Sequence, residues 1–156
     1  MLLLLTFPYS VVFISVMAKQ QVEHFSYYRA NSIDLSHENI GGISLGERDD
    51  NKVKHILIDK RYRSNDWFHT KNGVKVKIKN KEITAISCEV DHVNTQRNIN
   101  LSSSLQDITK KYGQKYYKRE EQGFNIIGYP DKKNKVNLEF WFLNHKLKEI
   151  FLEEDG

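Results

Sequence analysis

Val74-Lys75-Val76-Lys77-Ile78-Lys79-Asn80-Lys81-Glu82-Ile83-Thr84-Ala85-Ile86 is the stretch on which the architecture of this chain turns. Apolar and charged side chains alternate from Val74 to Lys79. That period puts Val74, Val76 and Ile78 on a dry face and the lysines on a wet one. Asn80-Lys81 reads as a tight turn into a second strand. The ladder recurs downstream: Val74, Val76, Ile78, Asn80, Ile83 and Ile86 match Leu138, Phe140, Phe142, Asn144, Leu147 and Ile150 at a constant offset of 64 (138 − 74). A duplicated unit that cannot bury its apolar face alone stacks on its copy. The anomaly is Trp141, which takes an outward position where the pattern elsewhere has Lys, Glu or Thr.

Working outward, Ile43 and Leu45 in Ile40-Gly41-Gly42-Ile43-Ser44-Leu45-Gly46 reappear as Ile99 and Leu101 at an offset of 56 (99 − 43). A helix is expected after each opening. The first runs from about Asp49 to Ile58, with Val53, Ile56 and Leu57 as its apolar stripe. The second starts at Ser103, with Gln106 at capping-box spacing, buries Leu105, Ile108 and Tyr112, and stops at Gly113 as a left-handed cap. The extra residues of the second copy fall around a strand pair through Tyr116-Tyr117 and Phe124-Asn125-Ile126-Ile127. The expected fold class is α+β: two tandem units, each a short helix followed by an antiparallel β-meander, sharing a layered helix-on-sheet core. The expected divisions are a leader over 1–18, a linker over 19–39, a first unit over 40–90 and a second over 91–156.

The opening Ile43-Ser44-Leu45-Gly46 and the segment Lys110-Lys111-Tyr112-Gly113-Gln114-Lys115, with the strand, Asn-containing turn and strand that follow, resemble small bacterial envelope domains. These are the beta-lactamase-inhibitor-like and SmpA/OmlA (BamE-like) group, and the likeness covers about residues 40 to 152. Lys115 stands where such domains commonly show Pro nearby, and Ser102 replaces the opening glycine. The resemblance implies an exported, often tandem domain that acts by binding protein; it supplies no catalytic residues to carry over.

Met1 to Ala18 has no charged side chain. Its apolar run is shorter than the roughly 20 residues of a membrane span and is interrupted by Pro8. Val16-Met17-Ala18 suits a signal-peptidase site, although no Lys or Arg opens the segment. A cleaved signal, a retained membrane anchor and an apolar element of the domain all stay open. The expected location is extracytoplasmic, secreted or membrane-anchored. Net charge is +4 over 156 residues, a mild excess that suits an anionic surface such as membrane or wall polymer but not dedicated nucleic-acid binding. Cys88, the single cysteine, shares the Ile86 face and reads as a buried spectator thiol.

No motif here specifies a reaction. The six histidines, 24, 37, 55, 69, 92 and 145, lack zinc-site spacing, so no metal or cofactor is expected. Glu120 and Glu121 are adjacent on a strand and point to opposite faces, so they cannot flank one glycosidic bond. Two basic-aromatic runs follow the helices, Arg61-Tyr62-Arg63-Ser64-Asn65-Asp66-Trp67-Phe68 and Lys115-Tyr116-Tyr117-Lys118-Arg119. Trp, Tyr and Arg dominate interface energetics. Trp67, Tyr116, Tyr117 and Trp141 are therefore the candidate contact residues, with Arg61, Arg63, Lys118 and Arg119 as electrostatic guides. The expected function is a non-catalytic protein-interaction module of the bacterial cell envelope, with a protein partner. One rival is a small envelope hydrolase acting on wall glycan or peptide, with His69, His92 or carboxylates converging in a pocket. Another is a structural membrane-associated protein that keeps its leader.

Overall fold

The computed structural model describes Gln21, residues 25–48 and residues 67–155. Among the described residues seven strands form one antiparallel sheet: β1 (Trp67–His69), β2 (Lys75–Lys79), β3 (Glu82–Cys88), β4 (Tyr117–Glu121), β5 (Phe124–Asp131), β6 (Val136–Leu143) and β7 (Lys146–Glu154). Their order across the sheet is β1-β2-β3-β7-β6-β5-β4. An eight-residue helix, Leu105–Tyr112, packs on the core face through Ile108 and Tyr112. Residues 25–29 form a helical turn against the opposite face.

This corrects the α+β expectation. In place of two helix-plus-meander units, the described chain is a β-rich body organised around a single sheet, in which β3 pairs directly with β7. The first expected helix, about Asp49 to Ile58, lies outside the described residues, as does the expected leader over 1–18.

The two ladders occupy matching hairpins, β2-β3 and β6-β7. Each turn has two residues in the left-handed region: Asn80 (φ 52) and Lys81 (φ 67), then Asn144 (φ 50) and His145 (φ 62). These mirror-image turns match the twist of the flanking strands. Each hairpin also carries a bulge at the same place: register shifts between Lys77 and Ile78, leaving Thr84 as the extra residue, and between Trp141 and Phe142, leaving Lys148. The bulge explains why Ile83 and Ile86, three apart, both reach the core, as Leu147 and Ile150 do.

The hairpins meet about an approximate two-fold axis. At the seam Ile86 faces Leu152 and Cys88 faces Ile150, with Ser87 opposite its own counterpart Phe151 (87 + 64 = 151). The openings also meet, in a reciprocal antiparallel bridge: Gly41 N–H donates to the Asn94 carbonyl (2.9 Å) and Gln96 N–H donates to that of Asn39 (3.0 Å), around the Ile40–Thr95 bridge. Such reciprocity is how self-complementary surfaces pair.

The helix starts one residue later than expected. Ser104, not Ser103, is the N-cap, in a capping box with Asp107, while Ser103 accepts from the Asn100 N–H. Leu105 is consequently exposed rather than buried. Gly113 does end the helix, with φ 103, and its N–H donates to the Thr109 carbonyl. Cys88 is fully buried beside Ile86, and burial raises its pKa.

Residues 33–40 brace the core. Ile33 N–H donates to Pro130, and the Leu35 N–H donates to the Asp131 carboxylate. Burial alone would raise the pKa of Asp131, but this bond and those from Asn134 outweigh it and hold the group low. Glu38, 5% exposed, accepts from Gln96 N–H (2.9 Å) and Tyr112 O–H (3.1 Å), with Arg97 3.6 Å away.

Candidate functional site

Strand alternation gives the outer face of the sheet Trp67, Ala85, Ser87, Tyr117, Arg119, Ile126, Glu139, Trp141, Glu149, Phe151 and Glu153. At its centre Glu139, 3% exposed, is gripped on both oxygens. Oε1 accepts from Tyr117 O–H (2.6 Å) and Arg119 Nε (2.8 Å); Oε2 accepts from Arg119 Nη2 (2.6 Å) and Trp141 Nε1 (2.9 Å). Arg119 also binds Glu121 and lies 5.0 Å from the Trp141 ring centroid. Burial disfavours the guanidinium charge, but the bonds and Coulomb attraction to Glu139 and Glu121 more than offset it, so its pKa rises. A buried carboxylate is tolerable only when paired and hydrogen-bonded in this way.

Gly128 makes that grip geometrically accessible. It lies between Tyr117 and Glu139 in one cross-strand row, and the Tyr117 ring crosses it to reach the carboxylate. A Cβ at Gly128 would collide with the Tyr117 ring. Burial and the adjacent Glu139 charge raise the Tyr117 hydroxyl pKa, keeping it a donor.

Above this base lies an aromatic ladder. Ring centroids are 6.0 Å apart for Trp67 and Phe151, 6.3 Å for Phe151 and Trp141, and 5.6 Å for Trp141 and Phe124. All four side chains are half-buried. Trp67 and Phe151 stand on strands separated by β2 and β3, so they meet only by leaning inward; the small outward residues Ala85 and Ser87, each 4% exposed, leave the room. Glu149 and Glu153 flank the ladder. Burial is the main cause of a raised pKa in both, reinforced in Glu153 by the Glu139 charge, and Glu153 is pushed up to about 7. Ser87 O–H donates to Glu149 at 2.7 Å.

The eight candidates therefore do not form one surface. Trp67, Tyr117, Arg119 and Trp141 share the outer face, but Tyr117 is 4% exposed and acts beneath the surface rather than at it. Tyr116 turns to the core side against Tyr129, with Lys118 Nζ 5.5 Å from its ring centroid. Arg61 and Arg63 lie outside the described residues. Sequence reasoning missed Glu139, Phe124, Phe151, Glu149 and Glu153. The available signal was the run of small outward residues in β3, which marks space for large neighbours.

His92 Nε2 lies 3.1 Å from the Asn72 carbonyl and is exposed. A cavity of about 490 Å³ opens on the core side, with Leu35, Leu45, Val136 and Leu152 among its apolar lining, and among the described residues no histidine lines it. Among the described residues no group of His, Cys, Asp and Glu could hold a metal ion, and no helix is long and apolar enough to cross a membrane. The chain matches no family model, no curated protein and no solved structure.

Proposed function

We propose that this chain is a non-catalytic protein-interaction module of the bacterial cell envelope, exported or membrane-tethered, which binds its partner through the outer sheet face. The observation that carries the reading is the half-exposed ladder of Trp67, Phe151, Trp141 and Phe124 on a hydrogen-bonded base. Rigid aromatic anchors lose little conformational entropy on binding and are the residues that dominate interface energy. The uncharged leader and the short likeness to envelope domains support the location. The test is affinity capture from the envelope fraction by the immobilised chain and by Trp141→Ala and Phe151→Ala. Loss of at least tenfold in retained partner, on the order of a single hot-spot residue, is expected; full retention by both variants would count against the reading.

The hydrolase reading draws on one observation, the pKa of Glu153 raised by burial and by the neighbouring Glu139, since a carboxyl that holds its proton near neutral pH can serve as a general acid. Its difficulty is chemical. Both oxygens of Glu139 are occupied by four donors, so that carboxylate has no lone pair aimed at a substrate. Hydrolysis of wall glycan or peptide by the chain, abolished in Glu153→Gln, would restore it.

A further inference from the structure

A different corner of the molecule combines exposed aromatics with a cluster of cations. In the helical turn 25–29, Phe25 (61% exposed) and Tyr28 (65% exposed) stand three residues apart and face solvent, while Tyr27 packs inward on Tyr117. Arg29 lies 5.1 Å over the Phe25 ring centroid. The turn is fixed to the body: Ser26 accepts from the Lys118 N–H, Asn31 N–H donates to Lys115, and Lys132 Nζ donates to the carbonyls of Tyr28 (3.1 Å) and Ala30 (2.8 Å). Through those bonds it adjoins the β5-β6 turn, with Lys132, Lys133 and Lys135 exposed beside it.

The neighbouring carboxylates are largely committed. Asp34 caps the Ser36 N–H, Asp131 is buried on Leu35 and Asn134, and Asp155 accepts from Tyr27 O–H. Glu154, opposite Val136, and Lys135 cancel in the charge sum. The aspartates keep their charge, so Arg29, Lys115, Lys132 and Lys133 leave the described part of the corner with a small positive excess (4 − 3) around two exposed rings. A solvated surface gains nothing from exposing Phe and Tyr together. A membrane interface does, because amphipathic rings settle at headgroup depth and cations meet the phosphates. An independent sequence feature points the same way, since the uncharged stretch 1–18 precedes this turn by only six residues.

We propose that this corner lies flat on an anionic phospholipid surface, with Phe25 and Tyr28 at the boundary between headgroups and acyl chains and the lysines over the phosphates. The surface is distinct from the aromatic ladder and does not depend on what the ladder binds. The experiment is co-sedimentation of the full chain with vesicles of phosphatidylcholine, with and without phosphatidylglycerol. Each of Lys115→Glu and Lys133→Glu is expected to weaken retention on the anionic vesicles about fivefold or more. High salt is expected to do the same to the unaltered chain, and Phe25→Ser with Tyr28→Ser to reduce retention at least about tenfold. Any attachment by the leader itself is insensitive to these charges and to salt, so it appears as retention equal on both vesicles. Equal retention of all variants on the anionic vesicles would overturn the proposal. So would release of the chain by soluble polyphosphate at matching phosphate concentration, which would reassign the corner to a free polyanion.

Discussion

Glu139 shows how one residue's identity is set by its neighbours rather than by its own preferences. An isolated ionised carboxylate at 3% exposure would be prohibitive, yet Arg119, Tyr117 and Trp141 supply four donors. Arg119→Ala should therefore cost about 3 kcal/mol in chemical denaturation, because it strands the charge. Tyr117→Phe should cost about 1.5 kcal/mol, the worth of one bond to a charged acceptor. Glu153 tests the electrostatics in the opposite sense. Its folded pKa of about 7 lies above the ordinary 4.5, so the folded chain holds the proton more tightly than the unfolded one. The stability it contributes is complete below about pH 4.5 and is lost as pH rises through 7. Glu153→Gln should accordingly stabilise the chain at pH 8, by about 1 kcal/mol once solvent screening of a half-exposed group is allowed for, and leave it nearly unchanged at pH 4. Melting curves at the two pH values decide this.

At the scale of elements, the two hairpins make equivalent demands on their turns. Lys81 and His145 both hold φ near +60°, where glycine is relaxed and other residues are strained. Lys81→Gly and His145→Gly should each raise stability by about 0.5–1 kcal/mol and by similar amounts, as measured by denaturant midpoint. Unequal or opposite effects would mean that the turns are equivalent in shape alone. The helix depends on its cap: Ser104→Ala should cost about 1 kcal/mol, whereas Ser103→Ala should cost less, since Ser103 caps a loop N–H instead. Gly128→Ala should exceed either, at about 2–3 kcal/mol, by pushing the Tyr117 ring off Glu139.

For the whole molecule, the seam between β3 and β7 decides cooperativity. Ile86, Cys88, Ile150 and Leu152 are buried there and join the halves into one sheet and one core. Leu152→Ala should cost about 2–5 kcal/mol. The chain should also unfold in a single transition. Trp67 and Trp141 sit in opposite halves of the sheet, so variants retaining only one tryptophan should report the same midpoint. Two separate midpoints would show that the halves fold independently despite the shared strands.

Local pattern alone was sufficient to specify the paired hairpins, their Asn-containing turns, the capped helix to within one residue, the burial of Cys88 and the outward placement of Trp141. Each of these follows from periodicity or turn chemistry within about a dozen residues. The joining of both halves through β3 and β7 was decided only in three dimensions, because strand pairing across some 60 residues leaves no mark on either strand's alternation. The same holds for the Glu139 cluster. Its donors come from β4 and β6, and they converge only because the register places Gly128 between Tyr117 and the carboxylate. Basic-aromatic composition drew attention to Tyr117 and Arg119, but the pleat sent Tyr116 and Lys118 to the opposite face, since neighbouring residues on a strand point opposite ways.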